Sequence, residues 1–474
     1  MRAKDPFSDP PPASILPGTA SRLGRRTAPA LAQPSSRFGA HNPDDEVDDQ
    51  TDDRDPNREA EKKERETDES LENAEHEAEE KKPQHGQRAN REYGTKHLCK
   101  LQAVAVSTTR EARAVFHHDA VVVGGGLIGL ACATAIRGEA LRVVVVTSAD
   151  QGAASRASAG ILAPSVGKAT EAARALAIMA RDLYPEFLES LAERTGSHVP
   201  LDRSGILEIA GGETEASLLR ASLRSGSDWI DATELPKLEP LVVPGVGGAL
   251  HHADGAVAAP ALLAALTADA HGDPRISLLG GRVIGIDATR HPLVAELEGG
   301  GHVEADCVVV AAGAWAGSIR GLPRPLPVTP VRGQMLAFDG PGMRHVVMGS
   351  RGYVVQRGNR SLVGSTMEQV GFDAGTRAEA ADLLQGLAIE MSPSFAHRRV
   401  LAHWAGLRPM TPDLLPIIGA DPDCGRLFYA CGHSKNGVLL APLTAQIIAE
   451  LVARGRASID VTPYAPGRSW NIDR

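Results

Sequence analysis

This 474-residue chain has few aromatic residues, no long apolar run and no excess of positive charge. Only 4% of the residues are aromatic, so aliphatic side chains must fill the core. No uninterrupted apolar run is long enough to cross a membrane, and the N-terminus lacks the apolar centre of a signal peptide. We therefore expect neither a membrane span nor export. Lys and Arg number 50 against 59 Asp and Glu, a net charge of −9, which does not favour a nucleic-acid partner.

Cysteine is also scarce. The chain has five, an odd number, and none forms a Cys-x-x-Cys pair. A disulfide framework and a structural zinc site are therefore not expected, and no other metal site is predicted. Such cysteine usage is typical of a reducing compartment, so we expect a cytoplasmic protein. The cysteines are Cys99, Cys132, Cys307, Cys424 and Cys431.

Residues 1–115 do not have the composition of a folded domain. The first 40 are rich in Pro, Ser, Ala and Arg, and a dense mixture of acidic and basic residues follows. Such a segment buries too little apolar surface to offset the entropy of ordering it. We predict a disordered, charged extension. A regulatory tail and an over-long start of translation are both consistent with it.

A glycine-rich motif marks where the folded part begins. The apolar run 121–123 predicts a buried parallel strand, and residues 127–136 predict an apolar helix. Between them Gly124, Gly126 and Gly129 fall in the order G-x-G-x-x-G, the dinucleotide-binding fingerprint. The helix N-terminus would offer its N–H groups to a pyrophosphate. We therefore predict a dinucleotide cofactor here.

The motif departs from its usual form at the second strand, predicted over 141–146. An acid that binds the adenosine ribose normally ends this strand, about 20 residues after the glycines. Thr147 stands there, followed by Ser148. A hydroxyl can hydrogen-bond a ribose but carries no charge.

The rest of the chain alternates helices and strands, which predicts an α/β (α+β) fold. Strands over 331–338, 352–356 and 361–364 predict a second, mostly antiparallel sheet. A strand, a glycine turn and a helix recur late in the chain, over 426–452. The other predicted helices are 169–195, 213–224, 258–270 and 382–391, and the other predicted strands are 206–210, 276–279, 282–286 and 307–312.

Seven stretches together resemble the D-amino-acid oxidase family of FAD-dependent amine oxidases, and within it the glycine oxidase branch of thiamine biosynthesis. The resemblance covers about 118–465, and the last two stretches are the most specific to that branch. The stretches are 122–130, 157–164, 330–335, 352–355, 363–368, 404–409 and 432–442.

The resemblance implies two intertwined domains. One is a doubly wound FAD-binding domain built from discontinuous pieces, which we assign to 116–200, 261–325 and 403–465. The other is an antiparallel substrate domain that covers the flavin, which we assign to 201–260 and 326–402. It also implies that hydride leaves the α-carbon of a small amino acid, and that oxygen accepts the electrons and yields hydrogen peroxide. Relatives of this type associate, so a homo-oligomer is expected by analogy.

Four residues match the family's substrate site. Arg408 would clamp the substrate carboxylate, since a planar guanidinium can bind it with two hydrogen bonds. The hydroxyl of Tyr353 would join it there, and Met367 would form part of the pocket wall. Lys435 stands where relatives carry arginine. The positive charge is kept, but the planar guanidinium that can donate two parallel hydrogen bonds is lost. Without the resemblance, each residue also has a purely structural interpretation. Arg408 would be a surface arginine in a turn, Tyr353 a strand aromatic facing the core, Met367 a core methionine and Lys435 an exposed lysine in a loop.

The resemblance also implies the cofactor contacts. Relatives that attach FAD covalently use a cysteine shortly after their counterpart of Arg408, where Met410 and Thr411 stand here, so we predict non-covalent FAD. His433 is interpreted as a turn residue whose backbone meets the flavin, not as a base. The predicted contacts are Gly124, Gly126, Leu127, Ile128, Gly129, Thr147, Ser148, Ala154, Ser155, Ala159, Gly160, Ile161, Val283, His433, Ser434, Lys435, Asn436, Gly437, Val438 and Leu439.

Two alternative functions stay open at this point. A related dehydrogenase for a D-amino acid or an N-methyl amino acid would pass electrons to a carrier, because the motifs do not reveal reactivity with oxygen. A flavin-binding protein without turnover is the second alternative, in which Thr147 and Lys435 mark a decayed site. The presence of both Arg408 and Tyr353 argues against that alternative.

Overall fold

The computed structural model describes residues 118–167 and 169–470. The predicted extension 1–115 and Cys99 lie outside this range. Two large sheets organise the described chain, one with a parallel centre and one almost wholly antiparallel. The predicted fold class is therefore confirmed.

The first sheet contains the glycine motif. Its central strand, His118–Val123, pairs in parallel with Val143–Thr147 on one side and His302–Val310 on the other. Side chains of the central strand alternate between two cores: Ala120 and Val122 pack on one face, Val121 and Val123 on the other. In spatial order the sheet runs Val283–Asp287, Leu293–Leu297, His302–Val310, His118–Val123, Val143–Thr147 and Ile276–Gly280; Cys424–Cys431 also pairs with His302–Val310, and Ile417–Asp421 with Cys424–Cys431.

The second sheet carries the strands of the predicted substrate domain. Only one of its pairings is parallel, between Ile206–Ile209 and Val346–Gly349. In spatial order its strands are Val400–Met410, Thr329–Asp339, Arg360–Gly364, Gly352–Arg357, Val346–Gly349, Ile206–Ile209, Gly247–His251 and Ser227–Asp231. A third, small sheet consists of Ile161–Leu162, Gly255–Val257 and Leu201–Asp202.

Helices cover the sheets. The α-helices are Leu127–Gly138, Ala154–Ala157, Glu171–Asp182, Tyr184–Thr195, Glu213–Ser222, Leu235–Leu238, Ala259–Gly272, Ala378–Met391 and Gly437–Arg454, and the 3₁₀ helices are Gly313–Ser318, Pro393–His397 and Thr462–Tyr464. The predicted single helix over 169–195 is wrong, because the chain breaks it at Leu183. Pro185 has no N–H to continue the hydrogen-bond ladder, so it starts a second helix instead.

Two of the predicted domain boundaries do not coincide with the ends of elements. The boundary at 260/261 falls inside the helix Ala259–Gly272, and the boundary at 402/403 falls inside the strand Val400–Met410. That strand pairs along its length with Thr329–Asp339 and so belongs to the second sheet. The domain division as a whole stays a prediction.

The helix Gly437–Arg454 is the one described helix that is long and apolar enough to cross a membrane. It contacts the helices Leu127–Gly138 and Glu171–Asp182, and 67% of it is buried within the protein. The helix therefore forms part of the core on one face of the first sheet.

Candidate active site

A cavity of about 570 Å³ lies where the carboxyl ends of the parallel strands approach the second sheet. Its lining includes every predicted site residue except Gly129. Ligand sites in α/β sheets occur at this edge. The residues predicted from the sequence are spread over some 300 positions and line one cavity.

The glycine turn, residues 124–129, forms one wall. Gly124 has a φ of +115°, and a Cβ there would lie 2.4 Å from the carbonyl oxygen of Ala311. A Cβ on Gly129 would lie 1.8 Å from the carbonyl oxygen of Gly124. Gly129 therefore acts by letting the helix pack close, while the first glycines expose backbone to the cavity.

The helix that follows begins at the cavity. The N-cap residue Gly126 has no side chain to cap the helix, and the N–H of Leu127 donates instead to Oγ of Ser155 over 3.0 Å. Ser155 lies on the short helix Ala154–Ala157, which also lines the cavity. The N–H groups of the first turn and the Ser155 hydroxyl therefore form a surface suited to a phosphate.

Polar side chains gather at the end of the second parallel strand. Thr147, Ser148 and Val283, three of the predicted cofactor contacts, line the cavity. The Ser148 hydroxyl donates to the carboxylate of Asp150, which also forms an ion pair with Arg282. Sequence reasoning missed this acid because it lies three residues after the position that the motif specifies.

A second loop and helix start closes the opposite side. His433 to Leu439 all line the cavity, and the helix Gly437–Arg454 begins there without a side-chain cap at Asn436. The N–H of Ser434 donates to the carbonyl oxygen of Pro409 over 2.9 Å, which ties the loop to the strand that carries Arg408. Lys435 is exposed at the rim and forms no ion pair among the described residues.

His433 is buried, and its Nε2 lies 3.1 Å from Oγ1 of Thr444. Burial lowers the pKa of His433 to about 3, so the ring is neutral near pH 7. The neutral ring therefore packs against the helix that follows it, and the contact of its backbone with the flavin stays a prediction.

The low pKa predicts an acid sensitivity of folding. The unfolded chain binds a proton at His433 below about pH 6.5, whereas the folded chain does so only near pH 3. The free energy of unfolding therefore falls as the pH drops from 7 to 4, by about 3 kcal/mol for this group alone. The variant His433→Gln should lack this component. Urea unfolding of both proteins at pH 7 and pH 4 measures it, and equal pH dependence in the two would contradict it.

Arg408 lies at the far end of the cavity, on the strand Val400–Met410. Its Nη1 donates to the carbonyl oxygen of Thr366 over 3.0 Å and its Nη2 to Oγ of Ser365 over 2.6 Å. A Cβ on Gly333 would lie 2.0 Å from Nη1, so only glycine leaves room for the guanidinium. Burial lowers the pKa of Arg408, although arginine remains charged. Arg408 is thus a strand residue held in one orientation and not a turn residue.

Tyr353 lies beside Arg408. Burial raises the pKa of its hydroxyl, and a hydrogen bond with Ser365 and the charge of Arg408 oppose that shift. The hydroxyl also lies 3.7 Å from the sulfur of Met335. A Cβ on Gly364 would meet the Tyr353 hydroxyl at 2.6 Å. The guanidinium and the phenol therefore share Ser365 as a neighbour.

A buried polar network supports the segment that holds Arg408. The Arg332 side chain is 3% exposed and pairs with Glu368 at 2.5 Å and with Asp373 at 2.8 Å. Glu368 also accepts from Thr366 at 2.5 Å and from Gln334 at 2.7 Å. Burial acts to raise the pKa of Glu368, but these hydrogen bonds outweigh it and the pKa is lowered. The ionised carboxylate thus fixes Thr366, whose carbonyl receives Arg408.

Apolar side chains surround the mouth. Met367 lines the cavity but is 51% exposed, so it is not core filling. Trp315 stacks on Phe372 with ring centroids 5.8 Å apart, and Leu414 is also exposed at the lining. Met367 therefore belongs to the outer wall.

The lining fits FAD on observations of its own. The glycine turn leaves no room for side chains. Two helices begin at the cavity, and their N-cap residues Gly126 and Asn436 make no side-chain capping hydrogen bond. The cavity volume is in the usual range for cofactor sites. Cys431 also lines the cavity, but burial raises its pKa to about 12, which keeps the thiol protonated and disfavours covalent attachment. Cys132, Cys307, Cys424 and Cys431 are all free, and the described residues hold no group of three metal-ligating side chains.

Several proteins are similar to this chain in sequence or in structure. The chain is 34% identical to a glycine oxidase of Pseudomonas putida over 73% of its own length and 97% of that protein. It is 35% identical to a bifunctional protein ThiO/ThiG of Trichormus variabilis over 72% of its own length and 53% of that protein. The crystal structure of glycine oxidase from Geobacillus kaustophilus superposes with a TM-score of 0.70 at 32% identity, covering 74% of this chain and 99% of that one.

A family model described as DAO, FAD dependent oxidoreductase, matches residues 119–451. This range contains both halves of the cavity, from the glycine turn to the loop at His433. The chain is therefore a member of the DAO family of FAD-dependent oxidoreductases.

Proposed function

We propose that this chain oxidises glycine, and other small amines such as sarcosine or D-amino acids, to the imino acid. One molecule of oxygen takes up the two hydrogens removed from the substrate and leaves as hydrogen peroxide. The imino acid from glycine supplies the thiazole ring of thiamine. Relatives named glycine oxidase and ThiO, matched over nearly all of this chain's described part, support the proposal.

The observation that carries the proposal is the position of Arg408. Two of its five N–H donors bind Thr366 and Ser365, and the remaining donors are available to a ligand in the cavity. A carboxylate bound by that fork would be fixed in direction as well as in place. The Tyr353 hydroxyl would complete the carboxylate site. A short substrate suits it because Met335 and Met348 also line the cavity beside Tyr353.

The other predicted residues take supporting roles in this proposal. The glycine turn, Thr147, Ser148, the segment from Ala154 to Ile161 and the loop from His433 to Leu439 would hold FAD. When bound, FAD supplies the acceptor for the hydride. Lys435 would add positive potential at the rim, and Met367 would close the outer wall. No base is needed if the amine enters neutral, which agrees with the low pKa of His433.

The test is an assay of peroxide release by the full-length protein with FAD. Glycine, sarcosine and D-alanine are compared in air, and flavin absorbance is followed under nitrogen. Peroxide from glycine is the expected result. Bleaching under nitrogen without peroxide in air would favour the dehydrogenase, and a yellow protein that no amine bleaches would favour binding without turnover. Homo-oligomerisation and a cytoplasmic location stay predictions, the first tested by light scattering on the same preparation.

A further inference from the structure

The adenosine end of the cavity contains an acid that the glycine motif does not specify. In the usual motif a carboxylate ends the second strand and binds the ribose. Here Thr147 occupies that position, and its side chain packs against the glycine turn: a Cβ on Gly125 would lie 2.5 Å from its Oγ1. Thr147 is therefore engaged in packing against backbone and brings no charge.

Asp150 lies at the same edge of the sheet. It lines the cavity, and its side chain is 16% exposed. The Ser148 hydroxyl and the Arg282 guanidinium both contact its carboxylate. A carboxylate has about four acceptor positions, so these two partners leave acceptors for a ligand.

Arg282, which forms the ion pair with Asp150, lies in the turn between the strands Ile276–Gly280 and Val283–Asp287. The turn that carries it is fixed next to Thr147, because the N–H of Gly281 donates to the Thr147 carbonyl oxygen over 2.9 Å. Arg282 also pairs through its Nε with the exposed Glu298 at 3.4 Å, whereas its Nη2 contacts Asp150. The ion pair with Arg282 therefore fixes the direction in which the Asp150 carboxylate points.

We propose that Asp150, oriented by Arg282 and Ser148, is the acid that accepts hydrogen bonds from the ribose hydroxyls of the FAD adenosine. The carboxylate lies three residues after the position that the motif specifies, and the ion pair with Arg282 holds it in place on the longer loop. The inference rests on FAD as the cofactor and not on the proposed substrate. A chain that binds FAD but leaves glycine untouched would refute the proposed function without affecting this assignment.

The experiment measures FAD affinity by flavin fluorescence on the apoprotein. Wild type and Asp150→Asn are each titrated with FAD and with an analogue whose adenosine ribose lacks both hydroxyls. We expect Asp150→Asn to weaken FAD binding by about 10- to 100-fold, the usual loss for a hydrogen bond to a charged group. For the analogue, the variant and the wild type should bind equally. The ratio of the affinities for FAD and for the analogue is taken on each protein and then compared between the two proteins, so a partial loss of folded protein cancels.

Two further variants sharpen the result. Glu298→Gln removes the other partner of Arg282 and should leave the FAD affinity within about twofold of wild type. Thr147→Glu, added to Asp150→Asn, restores an acid at the usual position and should recover part of the lost affinity. Asp150→Asn binding FAD as tightly as wild type would overturn the proposal. An equal loss for FAD and for the analogue would also overturn it, since the role of Asp150 would then be structural.

Discussion

Replacing Arg408 with lysine is expected to lower kcat/KM for glycine by about 100-fold, the value of one to two hydrogen bonds to a charged group. The arginine uses two donors on Thr366 and Ser365 and keeps three. Lysine has three donors in total, so it cannot hold the same two partners and still bind a carboxylate with two bonds. The variant keeps the positive charge and loses only the planar arrangement of donors that binds a carboxylate with two parallel hydrogen bonds.

Steady-state peroxide assays over a range of glycine concentrations measure this effect. The matched control is Arg351→Lys, because Arg351 is exposed and pairs with Glu390 on the surface, near Tyr353 in sequence. It should keep kcat/KM within about twofold of wild type. If Arg408→Lys also stayed within about threefold, the carboxylate would have to bind elsewhere.

Replacing Gly129 with alanine should prevent the protein from retaining FAD. The new Cβ would lie 1.8 Å from the Gly124 carbonyl oxygen, and no rotamer can relieve this clash because the backbone fixes the position of a Cβ and the oxygen belongs to the main chain. The helix would have to move away from the strand, and the glycine turn would open. We expect a loss of unfolding free energy of about 4 kcal/mol or more. The absorbance of bound flavin and a thermal unfolding scan report the two effects.

The control lies at the other end of the same helix. Gly138 is exposed, and a Cβ there would meet nothing within 4 Å. Gly138→Ala should therefore raise the unfolding free energy by about 0.5 kcal/mol and leave the flavin bound. The same substitution in one helix is thus expected to have opposite signs at its two ends. A stable, yellow Gly129→Ala protein would show that the turn tolerates a side chain.

The sequence predicts those parts of the site whose backbone is determined by residues close together in the chain. A buried valine run, three glycines at fixed spacing and an apolar helix follow one another in the chain, and the structure places them as the motif predicts. The loop at 433–439 repeats that arrangement and also lines the cavity. In both places neighbouring residues determine the backbone.

The strand that carries Arg408 was harder to predict. Pro409 removes a donor and Gly406 weakens strand propensity, so Val400–Met410 does not have a strand's usual composition. It is tolerated because the strand is at the edge of the sheet, where Pro409 faces Pro330. The pairing that makes it a strand comes from residues some 70 positions away.

The partners of Arg408 and the acid at 150 depend on contacts of the same long range. Glu368 meets Arg332 and Gln334 only after two strands of the second sheet have paired. Asp150 meets Arg282 across 132 positions. No local pattern identifies such pairs, because a charged residue in a loop is ordinarily a solvated one. By contrast, the break at Leu183 was readable from Pro185 alone.

The central position of Val308–Val310 has a consequence for how the protein is made. These residues pair with Val121–Val123 on one side and with Leu427–Tyr429 on the other. The ribosome delivers the first neighbour early but the second only about 120 residues later, which at ordinary elongation speeds is roughly 6–24 s. During that interval one edge of the strand stays unpaired, the last helix is missing, and half of the cofactor cradle does not exist. We therefore expect a nascent chain to bind its flavin only after the loop at 433–439, which lines the other side of the cavity, has left the ribosome.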